Sequence, residues 1–285
     1  MDWLTQLNLS LAYLEENLTE TVSIDEAAKI ARCSTYHYQR MFSYMADVSL
    51  GEYLRRRKMS LAGVDLQHGA KVIDVALKYG YDSPTAFNRA FKSIHGITPQ
   101  AAKQNGAVLV SYPQLNFAIQ IRGVEKMEYQ IIEKSSFTVT GPSLTLDKDM
   151  EKSQRLIPEF WNETSQAGAL EKLFPLMGQD VPGVLGVSYM TEMNAEKWEY
   201  VIGVATDQKV ADFKSFEIPA ATWAVFSGTG TMPTSIQELQ KRIYTEWLPT
   251  SGYEYANLPD IEVYLNADPQ NAEFQVWFPV KPKSK

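Results

Sequence analysis

The sequence predicts two domains of different class. The N-terminal part is all-α, a double helix-turn-helix. The C-terminal part is α+β, with a strand–helix–strand–strand unit used twice. Three observations predict this. A segment of helical periodicity recurs at a spacing of 49 residues near the N-terminus. Alternation of period two sets in near Met127. The order strand, helix, strand, strand then returns from about Thr222. At 285 residues the chain is long enough for two cores of ordinary size.

The repeat needs no gap. Ile24-Asp25 falls on Ile73-Asp74, Ala27 on Ala76, Ser34 on Ser83, Tyr38 on Phe87, Arg40 on Arg89 and Phe42 on Phe91. Two copies are too few to stack as a solenoid. Each copy reads as helix, tight turn, helix, over about 24–44 and 73–94. The first helices run from Ile24 to about Ala31 and from Ile73 to about Tyr79. Gly80 suits a helix C-cap, and Ser34 and Ser83 suit the N-caps of the second helices.

Each second helix has two faces. Phe87, Ala90, Phe91 and Ile94 form one stripe, with Thr85, Asn88, Arg89 and Lys92 on another. In the first copy Tyr38, Phe42 and Met45 predict the buried stripe, and Tyr36, Gln39, Arg40 and Ser43 the exposed one. A polar helix face is commonly plain solvated surface. It is also what a major groove asks for, since Arg pairs with guanine and Gln or Asn with adenine. Recurrence of the Arg at one phase favours the second reading. Leu50 to about Gln67 predicts a single connecting helix, with Tyr53, Leu54, Met59, Leu61 and Leu66 available to pack on both units. Its run Arg55-Arg56-Arg57-Lys58 is either a solvated face or a set of phosphate contacts.

This part resembles the AraC-type DNA-binding domain over about residues 8–105. The resemblance rests on Ser23, Ala27, Ser34 and Arg40-Met41-Phe42, on Tyr53 with Arg57-Lys58-Met59, and on the run from Ile73 to Gly96-Ile97-Thr98-Pro99. It implies seven helices and two helix-turn-helix units in adjacent major grooves. Base-reading candidates become Tyr36, Gln39 and Arg40 in the first and Thr85, Asn88 and Arg89 in the second. Asp47 stands where the first unit often has Gly, and Pro84 removes one N–H at the start of the second reading helix.

Charge is unevenly placed. Residues 1–105 hold 12 Lys and Arg against 11 Asp and Glu, and residues 106–285 hold 15 against 23. The acidic half is a poor match for phosphate. Cys33 is the only cysteine, which excludes an internal disulfide and makes a cytoplasmic location the expectation. The start Met1-Asp2 shows no signal-peptide pattern, and no apolar run suits a membrane helix.

Asn105-Gly106 opens an expected linker over 106–124, extended from Val108 to Ile121, before a domain spanning 125–285. There, Met127–Val139 reads as a strand, Ser153–Gln166 as an amphipathic helix, and Val184–Glu192 with Trp198–Thr206 as a hairpin. Thr222–Thr229, Ser235–Trp247, Ile261–Leu265 and Glu273–Val280 repeat the order, and each helix is expected to end in a Trp. His37, His68 and His95 all precede this half, so it offers no His nucleophile pair and no His metal site. Gly228-Thr229-Gly230 is too short for a phosphate loop. No catalytic residue, metal or cofactor is expected. Trp161, Tyr189, Trp223, Trp247, Tyr253, Tyr255, Tyr264 and Trp277 are candidates to line a pocket, or simply core. In Pro259–Tyr264 the alternation puts Glu262 and Tyr264 on one face. A carboxylate held among rings is a site for an organic cation.

This half resembles the GyrI-like small-molecule-binding domain over about 125–282. The resemblance rests on the duplicated order, Phe160-Trp161, Gly186-Val187-Ser188-Tyr189, Pro259–Tyr264 and Val276–Val280. It implies a pseudo-twofold cleft lined by Trp and Tyr, with Glu262 facing a ligand that is often a lipophilic cation. An AraC-type head with this tail is the layout of the Rob-type regulators. The expectation is a transcription regulator binding double-stranded promoter DNA, a small-molecule effector and RNA polymerase, without membrane contact. The alternatives are a hydrolase using Glu262 as general base, or a ligand-independent protein-interaction module.

Overall fold

The computed structural model describes residues 3–118, 126–147, 150–178, 180–190 and 197–283. The chain divides into two compact units. One comprises Met1–Arg32 and Ala46–Ala118, the other Cys33–Met45 and Ile119–Lys285.

The first unit is helical: α1 (Trp3–Glu16), α2 (Ile24–Ile30), α4 (Leu50–Gln67), α5 (Val72–Lys78), α6 (Pro84–His95) and α7 (Pro99–Ala102), with α3 (Thr35–Ala46) belonging to the second unit. The two second helices of the repeat, α3 and α6, are offset by the 49 residues read from the sequence, and each has 12 residues. Capping follows the sequence. Ser34 Oγ accepts from His37 N, and Ser83 Oγ from Ala86 N. Gly96 closes α6 at φ 73°, and the equivalent Asp47 adopts the same left-handed region at φ 56°. Phe87 and Phe91 are fully buried with Met59 and Leu66 of α4, and Ala90 and Ile94 pack against that cluster. The predicted apolar stripe of α6 is therefore core.

The basic run of α4 differs from both sequence readings. Arg55 and Arg56 pair with Glu52 of their own helix. Arg57 turns inward, donating to Glu15 at 2.7 Å and to the Tyr112 carbonyl at 2.6 Å. Lys58 reaches the Tyr79 carbonyl. Helical spacing spreads four consecutive residues around the axis, so they cannot share one phosphate-facing side.

Within the expected linker, residues 106–118 are extended but packed on this unit. Val110 N donates to His95 Nδ1, whose Nε2 bonds the Met59 carbonyl. Tyr112 N donates to Ser60, Leu115 N to Tyr53, and Phe117 exchanges two bonds with Asn8. Residues 119–124 of that linker lie outside the described residues.

The second unit is built on a ten-stranded antiparallel sheet: β1 (Tyr129–Lys134), β2 (Phe137–Gly141), β3 (Ser143–Asp147), β4 (Val184–Tyr189), β5 (Lys197–Ala205), β6 (Lys214–Ile218), β7 (Ala221–Gly230), β8 (Tyr253–Tyr255), β9 (Asp260–Tyr264) and β10 (Ala272–Pro282). The order is β1-β7-β10-β9-β4-β5-β2-β6, with β3 on β5 and β8 on β10. The helices are α8 (Met150–Gln166), α9 (Ala169–Leu173) and α10 (Thr234–Arg242), the last continuing as a π-helical turn, Ile243–Trp247. The single strand expected over Met127–Val139 is two. A break at Ser135-Ser136 sends β1 to β7 and β2 to β5 and β6. Neither helix ends at its Trp: α8 runs on past Trp161 to Gln166, and Ile243–Trp247 leads directly into a further helical turn, Leu248–Thr250. Residues 191–192 of the expected strand Val184–Glu192 lie outside the described residues.

The two half-repeats meet where β4 pairs β9, Gly186 opposite Glu262 and Ser188 opposite Asp260. Strand alternation then divides the side chains. Leu185, Val187, Ile261 and Val263 join Trp223 and Trp277 in one apolar cluster. Asp260, Glu262 and Tyr264 point to the other face.

The burial of Arg57 and Glu15 sets a test of the first unit. Removing one partner of a buried pair leaves an uncompensated charge. Arg57→Ala is expected to lower unfolding free energy by on the order of 3 kcal/mol, and Arg55→Ala by less than about 1 kcal/mol. Urea titration followed by circular dichroism measures both; equal costs would contradict the structural role of Arg57.

Candidate functional site

The site lies on the Asp260–Glu262–Tyr264 face of the sheet, and its occupant is a side chain of α3. Arg40 donates from Nη1 to Asp260 Oδ2 and from Nη2 to Glu262 Oε1, each at 3.1 Å. The three side chains are nearly closed off, at 10%, 7% and 17% exposure for Arg40, Asp260 and Glu262. Glu262 is saturated. Its Oε1 also accepts from Gln240 Nε2 at 2.8 Å, and its Oε2 from Tyr264 at 2.9 Å and Tyr200 at 3.3 Å. Trp161 donates to the Tyr200 hydroxyl at 3.0 Å and meets the Tyr264 ring edge-on. Tyr255 donates to Asp260 Oδ1.

The rest of α3 is held by matched contacts. Tyr36 hydroxyl shares a bond of 2.9 Å with Ser188, and its ring lies 4.2 Å from that of Trp198. His37 stacks on Tyr255 at 3.5 Å. Tyr44 donates to Gln240 Oε1. The Tyr36 and Tyr44 rings flank the guanidinium at 6.0 and 5.8 Å, within cation–π range. Only about 10 Å³ stays open around the guanidinium, room for a single water. A larger cavity of about 460 Å³ adjoins it, bordered by Tyr36, Ser188, Tyr255 and Asp260.

Burial controls the protonation of this cluster. It pushes the Tyr36 phenol up to about 12 and those of Tyr200 and Tyr264 well above the usual range, so all three stay donors near neutrality. It raises Asp260 from the ordinary 3.8 to about 6, against the opposing pull of Arg40 and Tyr255. It holds His37 well below 6.5, neutral, with Arg40 acting in the same direction.

The sequence-predicted residues separate into groups. Thr85, Asn88 and Arg89 are exposed on α6, as the helical face predicts. Tyr36, Gln39 and Arg40 are buried at 9%, 6% and 8%, so the expectation of an exposed face on α3 is corrected. Tyr38 and Phe42 are buried too, which leaves α3 covered on both sides. Of the pocket candidates, Glu262, Trp161, Tyr255 and Tyr264 come together. Trp223 and Trp277 belong to the apolar cluster on the opposite face, where strand parity puts them, and Trp247 and Tyr253 stack on each other. Tyr189 packs on Phe216 and borders the cavity of about 460 Å³. The expectation that all of them line one cleft is corrected for Trp223, Trp277, Trp247 and Tyr253. Asp260, Tyr200 and Gln240 were missed. Asp260 was within reach, two positions before Glu262 on the same strand face.

Comparison with known proteins matches this organisation. Residues 130–280, more than half of the chain, match the family of integron-associated effector binding proteins, and residues 27–105 match a helix-turn-helix domain family. The HTH-type transcriptional activator AarP of Providencia stuartii is 41% identical over 90 residues, 31% of this chain and 67% of that protein. The probable transcription factor PqrA of Proteus vulgaris is 35% identical over 105 residues, 36% of this chain and 86% of its own. The chain belongs to the AraC-type transcriptional regulators that carry an effector-binding domain. The right origin-binding protein of Escherichia coli (strain K12) is 39% identical to this regulator over 90 residues, 31% of each chain. Among solved structures, SAV2435 bound to tetraphenylphosphonium aligns over 54% of the regulator and 94% of its own chain, at 24% identity and a TM-score of 0.49. Among the described residues of the regulator, no helix is long and apolar enough to cross a membrane.

Two outcomes follow for the regulator's cleft. A Cβ on Gly186 would lie 2.5 Å from the Tyr200 hydroxyl and 3.3 Å from Glu262 Oε2. Gly186→Ala is therefore expected to break the Tyr200–Glu262 bond and cost about 1–3 kcal/mol in overpacking, read by thermal unfolding. An unchanged transition would contradict the close fit. For Asp260, folding raises the carboxyl above its unfolded value. Its contribution to stability is full below 3.8 and is lost as pH rises through about 6. The melting temperature of the wild type minus that of Asp260→Asn is thus expected to fall between about pH 4 and pH 7, and a flat difference would contradict this burial.

Proposed function

We propose that the C-terminal unit senses a small lipophilic or organic-cationic effector at the Glu262 cleft, and that α6 reads promoter DNA through Thr85, Asn88 and Arg89. Tyr36, Gln39 and Arg40 form the corresponding reading set of α3 when that helix is exposed. The observation that carries the effector reading is the guanidinium of Arg40 itself. Two carboxylates and a ring of phenol donors, with the Trp161 and Tyr264 rings beside Glu262, hold a planar organic cation out of water. The site therefore meets the demands a cationic ligand makes: charge, cation–π contact and apolar walls. As a DNA-binding regulator the chain works in the cytoplasm and acts on transcription through contact with RNA polymerase. The saturated state of Glu262 speaks against hydrolysis. A carboxylate offers about four lone-pair sites, and four donors use them, leaving none to activate a water.

The test is calorimetric titration of the full chain with tetraphenylphosphonium and with triphenylphosphine oxide, which is similar in shape but uncharged. The cation is expected to bind, the neutral compound to bind at least about tenfold more weakly, a difference of about 1.4 kcal/mol. Glu262→Gln is expected to remove most of that preference. Equal affinity for both compounds, or an unaltered preference in Glu262→Gln, would contradict the ionic reading.

A further inference from the structure

We infer that Arg40 is a built-in occupant of the effector cleft, so that a cationic effector and promoter DNA both depend on the release of α3. This rests on the cation-sensing reading above and gives its regulation. One chain segment carries two roles that cannot be filled at once.

The repeat supplies the first argument. Arg40 and Arg89 hold the same position in two copies of one module, and so do Gln39 and Asn88. On α6 the pair is exposed. On α3 it is buried, with Arg40 closed between Asp260 and Glu262. A guanidinium closed between two buried carboxylates cannot reach guanine, and a buried face cannot enter a groove.

The contacts supply the second. α3 is not lightly covered. Tyr36 bonds Ser188, Tyr44 bonds Gln240, and His37 stacks on Tyr255, so recognition extends over more than two turns of the helix. Tyr36, like Arg40, belongs to its reading face. An acidic cleft that takes a cation-bearing DNA-reading face imitates the charge of a phosphate-rich groove.

The third argument is access. The space around the guanidinium is full, but the adjoining cavity of about 460 Å³ falls within the usual size of a small-molecule site, about 300–1,000 Å³. A cation entering there reaches Asp260 and the Tyr36 side chain first. Asp260 and Glu262 cannot pair with it and keep Arg40 in place, so binding and docking of α3 exclude each other. Linkage then fixes the sign. The apparent affinity for DNA is lowered by the fraction of chains with α3 docked, and a ligand that displaces α3 raises it. By reciprocity DNA raises affinity for the effector equally. The effector is therefore an inducer of DNA binding.

The experiment uses the full chain, a DNA duplex from upstream of its own coding region, and tetraphenylphosphonium. Fluorescence anisotropy reads DNA affinity, calorimetry reads cation binding, and hydrogen exchange reads protection of residues 35–46. Expected results are strong protection of 35–46 in the free chain, loss of that protection with the cation, and DNA binding tightened tenfold or more. The double variant Asp260→Asn, Glu262→Gln is expected to bind DNA tenfold or more tightly with no cation present. Ser188→Ala, which touches neither charge, is expected to give a smaller increase of the same sign and covers the case in which the double variant is unfolded. Cation binding to the wild type that leaves protection and DNA affinity unchanged would overturn the inference while the effector reading stands. Absence of cation binding, with DNA affinity still raised in both variants, would instead overturn the effector reading and keep α3 docking. Variants that bind DNA no more tightly than the wild type would overturn the docking itself.

Discussion

The pairing of one guanidinium with two carboxylates organises the C-terminal unit. Asp260 and Glu262 stand two residues apart on β9, on one face of the sheet, and a single cation would leave them with surplus negative charge. The structure answers with a dense set of donors. Tyr200, Tyr264 and Gln240 turn to Glu262, and Tyr255 to Asp260. Burying such groups without partners would cost several kcal/mol each by the usual scale of about 1–3 kcal/mol for a neutral group and more for an ion. Each donor is in turn fixed by its strand or helix, so the sheet register at β4 and β9 decides whether the cluster can form. The glycine at 186 leaves the room in which the Tyr200 hydroxyl and the carboxylate meet.

A buried ion cluster of this kind is a means of selection more than a source of stability. Nothing apolar of Arg size would satisfy four acidic oxygens, and no anion could approach them. The same logic accounts for how the chain uses its uneven charge. The acidic C-terminal half, unsuited to nucleic acid, is suited to a cation, and in the structure that cation is Arg40 of α3. Arg57, buried against Glu15 in the other unit, shows the contrast: it ties α4 to α1 and to the segment around Tyr112, a purely structural use of the same chemistry.

Much of this was legible in the sequence. The 49-residue register placed α3 and α6, the span Leu50–Gln67 gave α4 end to end, and alternation in Pro259–Tyr264 pointed Glu262 and Tyr264 one way. What failed did so for identifiable reasons. Periodicity tells which residues share a face but not what covers that face, so Tyr36, Gln39 and Arg40 read as solvent-facing. Met127–Val139 alternates throughout, and nothing local shows that Ser135-Ser136 breaks it into two strands with different partners. Trp223 and Trp277 were grouped with Trp161 because aromatic content carries no parity across strands that are distant in sequence; only the pairing of β7, β10 and β9 assigns them to the opposite face. Tyr200 and Gln240 gave no signal of their own, since a lone Tyr on a strand and a lone Gln on a helix are ordinary.

The most direct measurement is of the Arg40 guanidinium itself. Proton–nitrogen correlation spectra of arginine side chains in the DNA-free full-length regulator, with the Arg40 signal assigned by its loss in Arg40→Lys, report whether its N–H groups are bonded and shielded from water. The account predicts dispersed, slowly exchanging Arg40 resonances, distinct from the solvent-averaged signal of Arg89. An Arg40 signal that coincides with that of Arg89 and exchanges as fast would contradict it.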